Sequence, residues 1–441
     1  MKKTSKYIVW INILIGILCL PAYLHLGEFF KYLIAPYIVY MVWSKKTEYF
    51  PALIIHITPG SIVSYLILIT TLVISVQHFR TWRKLQIRYI FFISLLPLPI
   101  FIWQTVDRFF MQNLGLIQSM IPLDMYLGLF PFFYGTLLSR KMNLEVWRAI
   151  FIVLFFSLGV ELLELKEYFA RALFFALPAL VSLAIYLLLF RHHNIDRNIK
   201  IIAVLALAYF ISKINLYSFT VIGSTGIATL LLIGFKRKFT TLSRLISSKW
   251  AFIVTMLLVF YAVTNQSRLR SIEALDFDMS NFKITDIDML RTRLYKKTFD
   301  DRAPLWLAVW NNVIAEKNIL PPMELKEYEI ENFYGTQYEA NFGAHNIFLE
   351  LLRQFGVIIG PITGLSFILI VISAGKLLLL KNLSNSFLII TASTVVAVGI
   401  IGGMTGQYPL LSTFSLLYIG LAGVCYGTYF QTIISGPTIH S

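Results

Sequence analysis

Apolar positions in this chain run in unbroken blocks rather than in strict alternation. The blocks lie near 7–24, 57–78, 87–104, 118–138, 147–163, 169–190, 199–212, 216–235, 250–264, 347–372, 386–404 and 409–430. About 20 residues of helix, rising 1.5 Å each, cross the ~30 Å hydrocarbon core of a bilayer. The pattern predicts an all-α polytopic membrane protein of about twelve transmembrane helices. A shorter apolar stretch, 29–43, is followed by Lys45 and Lys46. Counted as a span, it would put the lysine-bearing N-terminus outside, so it is expected to be interfacial or re-entrant.

Charge orients the blocks. Basic residues gather in alternate loops: Arg80 to Arg88, Arg140 to Arg148, Arg191 to Lys200, and Lys236 to Lys249. By the positive-inside rule these loops and both termini are cytoplasmic, and the segment 265–346 faces outward. Lys2, Lys3 and Lys6 before the first block resemble a signal peptide, but the bulky Cys19–Tyr23 offers no small-residue cleavage site, so an uncleaved first span is expected. Three units follow: an N-terminal bundle, 1–264; a large external loop with amphipathic helices, 265–346; and a C-terminal bundle of three spans, 347–441.

Composition removes the soluble alternatives. Hydrophobic residues make up 57% of the 441 and charged residues 14%, well below the roughly 25% charged content of soluble domains. The net charge of +15 resides in the bundle loops, because 265–346 holds 10 Lys and Arg against 13 Asp and Glu. Nucleic-acid binding needs a basic face on a water-soluble module, and none is visible. Cys19 and Cys425 both sit inside apolar stretches, which argues against a disulfide.

The outer segment is too long for an ordinary connection. Leu305, Val309 and Val313 recur at helical spacing after Asp300-Asp301, with Trp306 and Trp310 alongside. This predicts an amphipathic helix lying on the bilayer or the bundle. Residues 324–331 read as a solvated acidic turn. At the segment's end Asn346 is placed to cap the next span, with His345 just before it and Glu350 and Gln354 on the same face, one and two turns deeper. A capped helix N-terminus suits a phosphate, so these groups are expected to converge at the membrane surface.

In these motifs the chain resembles the O-antigen ligase/polymerase family, membrane glycosyltransferases of GT-C type. The residues concerned are Arg302 in Asp301-Arg302-Ala303-Pro304-Leu305-Trp306, and His345-Asn346 with Leu349, Gly356 and Gly360. The motif match covers about 300–360; the topological match covers the chain. Two features of the family are missing, a second Arg in a span before the loop and a Gly-x-Gly midway along it; Lys213 is the nearest cation to stand in for that Arg. The resemblance implies an inverting, metal-independent and cofactor-free transfer in a bacterial inner membrane. The donor would be an undecaprenyl-diphosphate-linked oligosaccharide and the acceptor a lipid-linked repeat or lipid A core. A flippase or a chain-length regulator is an implied partner.

Such a reaction needs a cation for the leaving diphosphate and a base for the acceptor hydroxyl. A guanidinium and an imidazole supply these, here Arg302 and His345 as catalytic residues. Arg302, Asn346, Glu350 and Lys213 are candidates for substrate binding. Each has a plainer alternative. His345 reads equally as a solvated loop histidine, Arg302 as a surface ion pair, Lys213 as a snorkelling side chain, and Glu350 as either an orienter of His345 or a partner of Arg353. Asp276-Phe277-Asp278 and Asp286-Ile287-Asp288 imitate metal-binding pairs without the nucleotide-binding domain such pairs serve, and Asp124 is an acid inside an apolar run. Two other functions compete, a lipid-linked oligosaccharide flippase and a protein O-oligosaccharyltransferase. A transporter should gather its charges near the midplane of its spans, whereas here they gather in the outer loop and at its hinge.

Overall fold

The computed structural model describes residues 3–25, 27–56, 62–113, 123, 126–162, 166–190, 195–213, 219–236, 303–315, 328–331, 337–340, 346–380, 383, 385–403 and 412–435. Among these the chain is helical apart from one two-stranded antiparallel ribbon. The N-terminal part comprises α1 (Lys3–His25), α2 (Gly27–Trp43), α3 (Phe50–Ile55), α4 (Ile62–Gln77), α5 (Phe79–Lys84), α6 (Arg88–Leu95) and α7 (Leu98–Phe110). It continues with α8 (Pro131–Leu138), α9 (Leu144–Leu162), α10 (Lys166–Phe190), α11 (Arg197–Lys213) and α12 (Phe219–Lys236). The segment 265–346 contributes α13 (Ala303–Ala315), β1 (Tyr328–Glu331) and β2 (Gln337–Ala340). The C-terminal part holds α14 (Ile347–Gly375), α15 (Ser386–Ala397) and α16 (Ser412–Ser435).

Three stretches are long and apolar enough to cross a bilayer: Arg88–Phe110, Ile347–Leu379 and Leu416–Ile434. Shorter apolar helices accompany them, including Ile62–Gln77, Phe174–Leu189 and Ser386–Gly402. The stretch 29–43 belongs to α2, one continuous 17-residue helix that carries Pro36 inside it and packs on α4 and α1. The blocks at 250–264 and most of 265–346 lie outside the described residues.

The tightest packing joins α8 to α16. A methyl on Gly135 would collide with the carbonyl of Gly420, and one on Gly423 with that of Phe132. Where bundle helices gain little from apolar burial against lipid, small residues allow this backbone approach and the contacts it brings. Thr136 donates to the Gly423 carbonyl at 3.2 Å, and Gln431 to the Ser139 hydroxyl at 2.7 Å, fixing the register. Further along α16, Tyr418 donates to the Val395 carbonyl of α15 at 2.8 Å, and Tyr426 to the Leu85 carbonyl at 2.7 Å. These two buried phenols therefore have acceptors, which offsets the cost of taking a hydroxyl out of water. Cys19 and Cys425 are both buried and unpaired as thiols.

Residues 328–331 correct one expectation. They are not a turn but a strand, paired with 337–340 so that Glu329 stands opposite Glu339. Alternation of Tyr328 and Ile330 with Glu329 and Glu331 is a period-2 pattern, and it outweighs the local acidity.

Candidate functional site: a folded-back helix under the loop

The site is built around a break in α14. Gly356 has φ 73° and ψ 179°, a backbone conformation that is essentially restricted to glycine. The two arms, 347–355 and 357–375, fold back on one another across it. A methyl on Gly360 would stand 2.7 Å from the Leu351 carbonyl oxygen, and one on Gly364 would stand 3.4 Å from the Phe348 ring. In a straight helix positions nine apart are separated by about 13.5 Å along the axis. The apolar block from 347 onward is therefore a helical hairpin, and residues 357–379 alone supply its spanning length.

This geometry sets where the polar residues of the first arm stand along the second. Phe348 lies beside Gly364, about 12 Å along the second arm from the hinge at 1.5 Å per residue. Asn346 is thus near mid-length of that arm, while Gln354 is near the hinge. Asn346 and Glu350 both have 0% exposure. Ile347 touches the chain at Gly403, where a methyl would stand 3.3 Å from its Cγ2. Gly403 ends the π-helical turn Val398–Gly402 that closes α15.

Helical periodicity divides the first arm into three sides. Phe348, Leu351 and Phe355 face the second arm. Leu349 and Leu352 face α13, joining Leu305, Trp306, Val309 and Val313 in one apolar cluster. The amphipathic helix expected in the loop is therefore present, and its apolar stripe covers this arm. The third side is polar: Asn346, Glu350, Arg353 and Gln354.

The cap is as expected. Asn346 has extended backbone, and its side-chain oxygen accepts from the Phe348 and Leu349 amides at 3.0 and 3.2 Å. Those two donors would otherwise be orphaned in a buried helix end. Of the two roles considered for Glu350, pairing with Arg353 is realised: Arg353 Nε and Nη2 donate to its two oxygens at 3.0 and 2.5 Å. Gln354 adds a third donor at 2.5 Å. A bidentate guanidinium and an amide together make a buried carboxylate tolerable.

Arg302 and His345 lie outside the described residues, as do Asp124 and the two Asp-x-Asp pairs. Arg302 immediately precedes α13, and His345 immediately precedes Asn346. Lys213 is the last residue of α11. Among the described residues no three His, Cys, Asp or Glu side chains gather as a metal site would require.

Three residues of α7 escaped the sequence analysis. Phe101 of α7 meets Phe355 at the hinge, ring edge to face at 4.6 Å, and stacks on Tyr126 at 4.5 Å. Farther along the same face of α7 are Gln104 and Arg108, both buried; an Arg so close to an apolar run was the available signal. No family model, no curated protein and no solved structure matches the chain.

Proposed function

We propose that the protein is a membrane glycosyltransferase of bacterial surface-polysaccharide assembly, using an undecaprenyl-diphosphate-linked glycan as donor. Its reaction forms a bond between an acceptor sugar oxygen and the donor's anomeric carbon, on the face opposite the departing phosphate. The bond from that carbon to the phosphate oxygen breaks. His345 takes the acceptor proton, and undecaprenyl diphosphate leaves against Arg302, with Lys213 as a second cation.

One observation supports this reading above the others. The helix entered from Arg302 and the helix entered from His345–Asn346 share a single apolar cluster through Leu305, Val309 and Leu349. Packing of the helix that follows Arg302 on the arm that follows His345 is what such a site would require, because orientation contributes heavily to transfer chemistry. The polar side of the folded-back arm supplies groups suited to sugar hydroxyls.

Proteoliposomes holding the purified chain and a synthetic undecaprenyl-diphosphate oligosaccharide test it. Longer lipid-linked chains identify a polymerase, a product only with lipid A core a ligase, and a product only with an acceptor protein an oligosaccharyltransferase. Donor left intact with every acceptor contradicts the proposal.

A further inference from the structure

No carboxylate lies between Glu48 and Asp107, and within that interval four cations crowd one short stretch. Arg80, Arg83 and Lys84 of α5 and Arg88 at the start of α6 are all exposed. Among the described residues none of the four forms an ion pair. Charge of one sign gathered this closely repels itself, so an anion from outside the chain would relieve it.

Tertiary contacts hold the two helices together. Trp82 is turned inward at 0% exposure. Its indole N–H donates to the Ser75 carbonyl of α4 at 2.7 Å, and its ring meets Phe133 of α8 at 5.2 Å. That contact pins α5 with its cations outward. Gln86 then turns the chain with φ 56°, and the Phe79 ring of α5 comes to lie edge to face with Phe92 of α6 at 5.3 Å. Arg83 follows Phe79 by four residues, hence on the same side of α5. The Arg88 guanidinium stands 5.3 Å from the same Phe92 ring. Cations from both helices therefore gather beside Phe92.

Phe92 also belongs to an exposed apolar ridge. Tyr89, Phe92 and Leu96, at i, i+3 and i+7, are 47%, 45% and 64% exposed, whereas Ile90, Phe91 and Ser94 on the other side of α6 are buried. Arg88 shares the ridge side with Phe92, one turn away. From Arg88 to Leu96 the ridge is about 12 Å long, and it opens a stretch long and apolar enough to cross a bilayer, Arg88–Phe110. Tyr89 stands where the cations give way to apolar side chains, the headgroup level that aromatic rings favour.

We infer that this ridge holds an anionic phospholipid. Its phosphate head sits among Arg80, Arg83 and Arg88, and its chains descend along Phe92 and Leu96 on the same side of α6. Guanidinium forks match phosphate oxygens bidentately, and each basic residue beside a membrane surface adds to the attraction for anionic lipid. An acidic protein segment would answer the cations but not the apolar ridge that continues from them. The inference does not depend on the proposed reaction.

The test uses the purified full chain in detergent, titrated with phosphatidylglycerol or phosphatidylcholine, with bound lipid resolved by native mass spectrometry. Two double variants remove the same charge, Arg80→Gln/Arg83→Gln at the ridge and Arg197→Gln/Lys200→Gln on α11 in another basic loop. Wild type should hold phosphatidylglycerol more tightly than phosphatidylcholine. Arg80→Gln/Arg83→Gln should bind phosphatidylglycerol about thirtyfold more weakly, at roughly fivefold per cation, with phosphatidylcholine unaffected. The α11 variant should bind both lipids like wild type. Equal weakening in the two double variants overturns the inference, because the attraction would then be diffuse. Unchanged affinity in Arg80→Gln/Arg83→Gln overturns it as well. So does displacement of the lipid by an equal concentration of soluble glycerol phosphate, which would show an anion site without a place for chains. If the ridge double variant does not accumulate, Arg83→Gln carries the comparison with an expected loss of about fivefold. Glycan transfer does not enter this measurement, so failure of the proposed function would leave the lipid site standing.

Discussion

A methyl on Gly360 would meet the carbonyl oxygen of Leu351 at 2.7 Å, nine residues earlier in the same apolar block. That proximity turns an apparent span into a hairpin and carries Asn346 into the bundle. It depends on Gly356, whose φ of 73° and ψ of 179° strain any residue with a Cβ. Gly356→Ala should therefore lose on the order of 1–3 kcal/mol of stability. Gly360→Val should lose at least as much by separating the arms. Thermal unfolding of the purified variants in detergent, followed by tryptophan fluorescence, checks this; wild-type midpoints for both would contradict the fold-back.

The buried helix end depends on one side chain. Removing the Asn346 acceptor leaves two amides without it in an enclosed site, at a cost of about 0.5–2 kcal/mol. Asn346→Ala should be destabilised by that amount, and Asn346→Ser should recover most of it. Equal unfolding midpoints for the two variants would show that the cap contributes nothing.

Glu350 and Arg353 form an ion pair in which the carboxylate has 0% side-chain exposure and the guanidinium 13%. Glu350→Gln and Arg353→Gln should each destabilise the protein, and the double variant should be less destabilised than the sum. The coupling energy in this cycle is expected at about 0.5–3 kcal/mol. Additive effects would mean that Glu350 draws its stabilisation from elsewhere.

Val309 lies at 0% exposure in the cluster that joins the loop helix to the first arm. Val309→Asp would place an unpaired charge there, at a cost of several kcal/mol, and should undock α13. Limited proteolysis between 265 and 346 should accelerate, and glycan transfer should fall with it. Unchanged cleavage and transfer would show that docking of α13 is dispensable.

Much of this arrangement was legible from local pattern. The i, i+4, i+8 spacing of Leu305, Val309 and Val313 marked the loop helix, and Asn346 before an apolar run marked the cap, because both are fixed by neighbours in sequence. The Glu350–Arg353 pair was one of the two roles the sequence allowed for Glu350, since i, i+3 spacing puts both on one helix face. The hairpin could not be read. Residues 347–372 read as one apolar block whose only charged or amide side chains are Glu350, Arg353 and Gln354, so hydropathy does not register a reversal, and the need for glycine at 356 and 360 arises from contacts between the two arms. Arg108 went unnoticed for a related reason. A single charge at the edge of an apolar run gives no sign of which way it faces until the helix is packed.

The role assigned to Arg302 and His345 is tested most directly by single-turnover transfer in proteoliposomes with undecaprenyl-diphosphate oligosaccharide and a competent acceptor. Arg302→Ala and His345→Ala should each slow the step by at least a hundredfold, the low end of what a positioned acid–base group contributes, with protein level and donor affinity near wild type for His345→Ala. Wild-type turnover in both variants would contradict the account.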